Sequence, residues 1–161
     1  MTAAFAGPRA EIAPLRRPDA GLGALVAESE RAGLGFVRRL VDEWVSGRNR
    51  FDRPGEALFG AWIDGQLVGV CGLNVDPYAA APGVGRVRHL YVLRPLRGRG
   101  VGRDLTAAMI RSARNPFVTL RLRTANAAAA RLYERLGFLR VDGVPDCTHV
   151  MELGPATERR A

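Results

Sequence analysis

The chain has 161 residues, 47% of them hydrophobic and 25% charged, which fits a single globular domain over residues 1–161 that needs no disulfide or metal to fold. No apolar run approaches the roughly 18 residues of a membrane span, and the first residues lack the pattern of a secretory signal, so a cytoplasmic protein without a membrane partner is expected. The net charge is +8 and all 24 basic residues are arginine, which excludes chemistry that depends on a lysine nucleophile or on the lysine of a phosphate loop.

Hydrophobic periodicity and the positions of glycine and proline predict seven strands and four helices. The strands are expected over residues 11–16, 57–63, 67–73, 84–93, 117–123, 138–141 and 148–153. The helices are expected over residues 19–32, 36–45, 100–114 and 125–136. Loose termini are expected over residues 1–10 and 154–161. The order β-α-α-β-β-β-α-β-α-β-β implies a mixed sheet covered by helices on both faces.

Local signals support several of these boundaries. Asp19 is placed to cap the first helix, and Gly137 is placed to end the last one. The pair Asp64-Gly65 between the second and third strands is a strong hairpin signal. The N-terminal half of the chain therefore has a strand, two helices and a hairpin in sequence.

The two cysteines, Cys71 and Cys147, lie far apart in apolar stretches and are expected to be buried free thiols. A zinc site would need two more ligands, and His89 and His149 show no paired spacing with the cysteines. No metal site is predicted.

The segment after the strand over residues 84–93 combines a tight turn with the start of a helix. It contains three glycines, at positions 98, 100 and 102. Glycine lets the backbone approach a ligand and adopt a positive φ, and the free N–H groups of a first helical turn attract an anion. Residues 86–140 around this turn hold thirteen arginines against Asp104 and Glu134, which favours a phosphorylated cofactor or nucleic acid as the anion.

The spacing of the turn differs from two other phosphate loops. Arg103 stands where the third glycine of G-x-G-x-x-G would fall, and the absence of lysine excludes a Walker loop. A strand, a glycine turn, a helix start and a local excess of arginine coincide here, so a pyrophosphate is the expected guest.

Two motifs carry a resemblance to a known family. The run Arg97-x-x-Gly100-x-Gly102, after the strand Leu90-Tyr-Val, resembles motif A of the GNAT superfamily of acetyl-CoA-dependent N-acetyltransferases. The run Asn126-Ala-Ala-Ala-Ala-Arg-Leu-Tyr-Glu-Arg-Leu-Gly-Phe138 resembles motif B at the expected distance. The resemblance implies a GNAT-type α/β fold, a mixed and mostly antiparallel sheet of six to seven strands with helices on both faces, and acetyl-CoA as co-substrate.

The same resemblance implies the cofactor contacts. The backbone of Leu90, Tyr91 and Val92 would pair with the pantetheine arm as an added strand does, because the family's strand diverges from the next one at a bulge. The residues around the pyrophosphate would be Arg97, Gly98, Arg99, Gly100, Val101, Gly102 and Arg103. Asn126 either caps the helix predicted over residues 125–136 or forms a hydrogen bond with the pantetheine, and the sequence leaves both roles open.

Tyr133, in the second motif, is the predicted catalytic residue. Acyl transfer expels the thiolate of CoA, and a tyrosine with an ordinary pKa near ~10 stays protonated at neutral pH and can donate to the departing sulfur. An isolated tyrosine in this apolar pattern would instead be a core aromatic. Its place in the motif favours the role of general acid.

The base that deprotonates the acceptor stays unassigned. Some members of the family carry a glutamate on the motif A strand, but the matching position here is Arg86, which cannot act as a base. Glu56, Asp76, His149 or a relay through water are the open alternatives.

The acceptor site is expected between the two N-terminal helices and the loops over residues 74–78 and 143–146, with Trp44, Trp62 and Tyr78 as candidate walls. The predicted function is transfer of an acetyl group from acetyl-CoA to a primary amine, with a small molecule as the acceptor. Acylation of protein N-termini or lysines is an alternative within the same class, and the resemblance also allows a homodimer.

Two readings belong to other classes of protein. One is a domain that binds CoA as a sensor without turnover, against which an intact Tyr133 argues. The other is a basic nucleic-acid-binding module, which should interleave aromatic residues with its basic ones. The aromatic residues within 86–140 are only Tyr91, Phe117, Tyr133 and Phe138, so no nucleic-acid partner is predicted.

Overall fold

The computed structural model describes residues 7–155. The strands are β1 Glu11–Pro14, β2 Ala57–Ile63, β3 Gln66–Val75, β4 Val84–Val92, β5 Thr119–Leu122, β6 Leu139–Arg140 and β7 His149–Glu152. The helices are α1 Pro18–Gly21, α2 Gly23–Arg31, α3 Phe36–Ser46, α4 Val101–Ala113 and α5 Ala127–Arg135, with a 3₁₀ turn at Arg94–Leu96. The predicted loose termini fall largely on residues 1–6 and 156–161, which lie outside the described residues.

The prediction of one helix over residues 19–32 is wrong, because α1 and α2 are separate helices that break at Leu22. Gly21 and Gly23 flank Leu22 and lower the helix propensity on both sides of it. The Leu22 side chain is fully buried, so packing fixes the break. Asp19 is not the cap either, since α1 begins at Pro18, a residue suited to a first helical position.

The strands form one seven-stranded sheet in the order β1-β2-β3-β4-β5-β7-β6. Only β4 and β5 run parallel, and the other neighbours are antiparallel. Asp64 and Gly65 both have positive φ, 50° and 77°, as the tight turn between β2 and β3 requires. The predicted fold class, a mixed and mostly antiparallel sheet of six to seven strands, is confirmed.

Helices cover the sheet on both faces, as predicted. Leu105 and Met109 of α4 are fully buried in one apolar cluster, which also includes Tyr133 of α5. Leu25 of α2 and Leu40 of α3 are fully buried in the cluster on the other face. Strand β4 contributes side chains to both clusters and is the central strand of the sheet.

Both cysteines are buried and free, in agreement with the sequence-based expectation. Cys71 lies on β3, and its full burial raises the pKa of its thiol to about 12. Within residues 7–155, no helix is long and apolar enough to cross a membrane.

Candidate active site

Strand β4 has a free edge along its second half. It pairs with β5 only through Val84, Gly85 and Arg86, and the two strands then separate. On its other side, β4 stays paired with β3, but the register shifts between Val70 and Gly72. This shift is a β-bulge on the β3 side. On the β5 side, residues 87–92 have no strand neighbour within the described part of the chain.

The free edge leads directly into the glycine turn and the start of α4. The first bond within the helix runs from the Asp104 N–H to the Gly100 carbonyl, and no side chain caps this end. Among the described residues, the six amides of residues 98–103 make no hydrogen bond. Consecutive free amides at a helix N-terminus form a site for an anion, with the positive end of the helix dipole behind them.

The three glycines of the turn serve two purposes. Gly98 and Gly100 have φ of 77° and 85°, and a Cβ atom added to either would meet no atom within 4 Å. Glycine is needed there for the backbone angle, and the space above is open. Gly102 is helical instead, and its added Cβ would lie 3.4 Å from Leu132 of α5, so Gly102 lets the two helices approach.

The side chains of Tyr91 and Arg97 build the frame of the turn. The Arg97 Nε donates to the Val92 carbonyl at 2.8 Å, and its guanidinium lies 5.2 Å from the centre of the Tyr91 ring. The Tyr91 hydroxyl donates to Glu28 of α2 at 2.8 Å. The predicted cofactor contact of Tyr91 is therefore left to its backbone.

The side chains of Arg99 and Arg103 are exposed on the helical side of the turn. Their charges are available to an anion bound at the free amides. Val101, between them, is buried in the core and anchors the first turn of α4. Of the residues predicted around the pyrophosphate, some offer free backbone amides, Arg99 and Arg103 offer exposed charges, and Val101 holds the helix start in place through its buried side chain.

Tyr133 points from α5 into the core near the free edge of β4. Its side chain is 6% exposed, and its ring meets Phe138 edge to face with 5.7 Å between centroids. Burial raises the pKa of the hydroxyl, and the nearby thiol of Cys71 raises it further. Cys71 lies on β3 between Val70 and Gly72, opposite the bulge, so the protonated phenol is close to the point where β4 opens.

Asn126 is the N-cap of α5. Its side-chain oxygen accepts a hydrogen bond from the Ala129 N–H at 3.0 Å, which satisfies one of the free amides of the helix start. Only the side-chain NH₂ group of Asn126 is then left for a cofactor. Of the two roles that the sequence left open, the structure contains capping.

The model of the family described as "Acetyltransferase (GNAT) family" matches residues 34–138, well over half of the chain. The chain belongs to the GNAT acetyltransferase family. The matched range contains the free edge of β4, the turn, α4 and Tyr133. This confirms the resemblance drawn from the two motifs and the acyltransferase class that it implied.

Two curated relatives carry the same name. A mycothiol acetyltransferase of Mycobacterium leprae (strain Br4923) is 42% identical over 82 residues, which is 46% of this chain and 26% of that protein. The mycothiol acetyltransferase of Mycolicibacterium paratuberculosis is 28% identical over 152 residues, 83% of this chain and 44% of that protein. The chain spans less than half the length of these relatives.

Solved GNAT structures share the fold over nearly the whole chain. A protein from Exiguobacterium sp. 255-15, assigned as an acetyltransferase, has a TM-score of 0.79 and 27% identity, and the match covers 89% of this chain and 93% of that one. A structure from Salmonella typhimurium, solved with its cofactor acetyl-CoA, has a TM-score of 0.66 at 16% identity and covers 89% and 94%. At this low identity, the similarity to the second structure shows a shared fold and nothing more.

Two of the candidate bases are carboxylates held inside the GNAT domain. The Glu56 side chain is 1% exposed and accepts hydrogen bonds from the Asn74 side chain and the Val75 N–H. Burial alone would raise the pKa of Glu56, but the hydrogen bonds from Asn74 and Arg53 outweigh it and hold the pKa below its usual value. Asp76 is fully buried and lies between two arginines. Neither carboxylate is presented to a substrate.

His149, the third candidate, is the first residue of β7 and packs against α5. Its Nδ1 is 2.9 Å from the Thr148 hydroxyl, and its Nε2 is 3.5 Å from the Glu134 carboxylate. Its ring centroid is 6.5 Å from that of Tyr133. Both ring nitrogens have partners, as in a structural histidine.

His89 lies on the free edge of β4. The sequence pointed to His89 only as a possible metal ligand. It lies at the bulge of β4 with a φ of 60°, and it is buried beside Phe36 and Phe51. Burial, together with the charges of Arg88 and Arg39, lowers the pKa of His89 to about 3, so the ring is neutral at physiological pH. The available signal was the bulge expected in this strand, which the structure shows at His89.

Of the three aromatic residues predicted to wall the acceptor site, only Tyr78 lies near β4, where its ring stacks 4.8 Å from the Arg86 guanidinium. Trp44 lines a groove of about 500 Å3 at the β1–β2 edge and is stacked with Arg50 at 5.2 Å. Trp62 lines a second groove beside β1. Both grooves are two or more strands away from β4 in the sheet.

Proposed function

We propose that this GNAT protein transfers an acetyl group from acetyl-CoA to the primary amine of a small molecule. The observation that carries the proposal is the continuity of the free edge of β4, the six unbonded amides of residues 98–103 and the buried Tyr133 hydroxyl. Each feature matches one part of acetyl-CoA: the free edge matches the amide-rich arm, the amides match the diphosphate, and the Tyr133 hydroxyl matches the thioester. The mycothiol acetyltransferases among the relatives act, by their name, on a small molecule, which supports a small acceptor.

Pantetheine would bind along the β5 side of Leu90, Tyr91 and Val92, where β4 has no strand neighbour among the described residues and the Arg97 side chain is bonded to the Val92 carbonyl. An extended arm with two amides can add to a strand edge as a further strand does, and main-chain hydrogen bonds then supply affinity. The bulge at His89 interrupts the regular ladder between β3 and β4, and the thioester at the end of the arm would lie next to this bulge. The diphosphate at the other end would meet the amides of residues 98–103, with Arg99 and Arg103 beside it.

The chemical step is direct attack of the amine on the thioester carbonyl. A carbon–nitrogen bond forms, the carbon–sulfur bond breaks, the nitrogen loses one proton and the sulfur gains one. Tyr133 donates its hydroxyl proton toward the sulfur as negative charge develops there. Because burial raises the pKa of Tyr133, the hydroxyl carries its proton at neutral pH and has it available when the carbon–sulfur bond breaks.

Deprotonation of the amine would use water rather than Glu56, Asp76 or His149. The supporting observation is that the first two are enclosed by hydrogen bonds or ion pairs and the third has partners on both nitrogens. A water relay needs no buried base, and it predicts that the rate follows the ionisation of the acceptor amine itself.

The experiment is a thiol-release assay with acetyl-CoA and a panel of primary amines, including peptides with free N-terminal and lysine amines. We expect CoA release that depends on a small-molecule amine, with a product that has gained one acetyl group by mass spectrometry. Turnover of peptides alone would replace the small-molecule acceptor with a protein one. Binding of acetyl-CoA without release of thiol on any amine would contradict the transferase function.

A further inference from the structure

Three arginines face the acceptor side of β4 close to its free edge. Arg86 of β4 and Arg121 of β5 form the last cross-strand pair before the strands separate, so their side chains lie on one face. Arg88, two residues along β4, is on that same face. Its charge interacts with Arg39 and Glu43 of α3, which shows that the face is the one covered by α3.

In this cluster the guanidinium groups outnumber the carboxylates that could neutralise them. The Asp76 carboxylate is fully buried and lies 3.6 Å from both the Arg86 Nη1 and the Arg121 Nε, too far for hydrogen bonds. Those two nitrogens and the Asp76 Oδ2 have no hydrogen-bond partner among the described residues. The Arg86 side chain is 9% exposed, so an unsatisfied guanidinium nitrogen there carries a desolvation cost that a bound anion would offset.

Arg88 adds to the excess. Burial is the main cause that lowers the pKa of its guanidinium, and the charges of Arg39 and Arg86 act in the same direction. Glu43 is the carboxylate that opposes them. Four guanidinium groups, those of Arg39, Arg86, Arg88 and Arg121, thus interact with three carboxylates, those of Glu43, Asp76 and Asp146.

We infer that the acceptor carries an anionic group, a carboxylate or a phosphate, in addition to its amine, and that Arg86, Arg88 and Arg121 bind this group. The inference rests on the proposed function, because the amine must reach a thioester at the bulge. Three residues of strand, about 10 Å, separate Arg86 from the bulge, and Arg88 adjoins it, so both groups fit within one small molecule. Guanidinium groups match the oxygens of carboxylate and phosphate in pairs.

The same arginines would assist the chemical step. Positive neighbours disfavour the protonated form of an amine and lower its pKa, so a larger share of the bound acceptor is the neutral nucleophile. This fits a site in which the buried carboxylates are engaged and water takes the proton. An acceptor with an amine alone would meet only the repulsion.

The test compares matched pairs of amines that differ in the anionic group. The pairs are alanine with alaninamide, phosphoethanolamine with ethanolamine, and glucosamine 6-phosphate with glucosamine. In the wild-type protein we expect kcat/KM to be at least about tenfold higher for the anionic member of at least one pair, which also separates carboxylate from phosphate. Arg88→Gln and Arg86→Gln should reduce that preference mainly by raising KM for the anionic member.

Arg140→Gln is the control, because Arg140 is exposed on β6 beside Asp142, and it should keep the wild-type preference. Arg88 is only half-buried, so its variant tests the inference even where Arg86→Gln does not fold. If no panel amine is acetylated, calorimetry on the CoA-loaded protein reads the same preference as binding.

Several outcomes would overturn the inference. If kcat/KM, or the affinity measured by calorimetry, is equal within every pair, the acceptor needs no anionic group and the transferase function still stands. An equal loss on both members in Arg88→Gln, with a lower melting temperature, makes the cluster a structural ion network. Failure of acetyl-CoA to bind at all is different, since it removes the proposed function first.

Discussion

Tyr133 is a single hydroxyl on which the proposed transfer depends. Tyr133→Phe keeps the ring that packs on Phe138 and removes only the proton donor. We expect kcat to fall about a hundredfold, within the usual range for loss of a general acid, while the Kd for acetyl-CoA changes little. Steady-state kinetics and calorimetry measure the two quantities. An unchanged kcat would show that another group protonates the sulfur.

His89 makes a prediction about stability rather than catalysis. Its pKa is about 3 in the folded protein and near ~6.5 in an unfolded chain, so between these values the unfolded state binds more protons. The free energy of unfolding should therefore fall as the pH drops below about 6.5, by up to about 1.4 kcal/mol per pH unit from this residue. This stability is fully present above the unfolded pKa and is lost toward the folded one.

The variant His89→Asn removes this titration and retains a residue type that tolerates a positive φ. Urea denaturation of both proteins at several pH values between about 7 and 4 measures the difference in slope. We expect the variant to lose less stability on acidification than the wild type. Parallel curves would mean that the ring is not held neutral by its surroundings.

The glycine turn before α4 is the element that defines the cofactor site. Gly100→Ala forces a positive φ on an alanine, which costs roughly 1–2 kcal/mol, and places a methyl group in the open space above the free amides. We expect the Kd for acetyl-CoA to rise at least about tenfold, which is about 1.4 kcal/mol. Equilibrium binding by calorimetry checks this.

Gly33→Ala is the matched control for the turn. Gly33 follows α2, has a φ of 78° and also has no atom within 4 Å of an added Cβ. Its alanine variant should have a similar cost in stability and an unchanged Kd for acetyl-CoA. If both variants weaken binding equally, the effect is general destabilisation and not an obstruction of the amides.

Elements with local signals could be predicted from the sequence. The Asp64-Gly65 hairpin and the strand, turn and helix around Gly100 follow from residues close together in the chain. The break at Leu22 could not, because it depends on burial of the Leu22 side chain in the apolar cluster that α2 and α3 form with the sheet. The same applies to the burial of Arg86 beside Arg121, since β4 and β5 are brought together only by the sheet.

In the whole molecule, arginines of the basic segment over residues 86–140 lie at both ends of the free edge of β4. Arg97, Arg99 and Arg103 surround the turn at one end of β4 and are exposed. Arg86 and Arg121 lie inside, at the point where β4 and β5 separate. The proposed cofactor site and the inferred acceptor site would thus use different arginines of this segment, at opposite ends of the free edge.

We propose that this free edge and the amides of residues 98–103 together bind acetyl-CoA. The most direct measurement is thermal unfolding of the full chain with acetyl-CoA and, separately, with acetyl-pantetheine, which lacks the diphosphate. We expect saturable stabilisation by acetyl-CoA, about 2.7 kcal/mol at a ligand concentration 100 times Kd, and much less with acetyl-pantetheine. No stabilisation at about 1 mM acetyl-CoA, or equal stabilisation by both ligands, would contradict the assignment of the amides to the diphosphate.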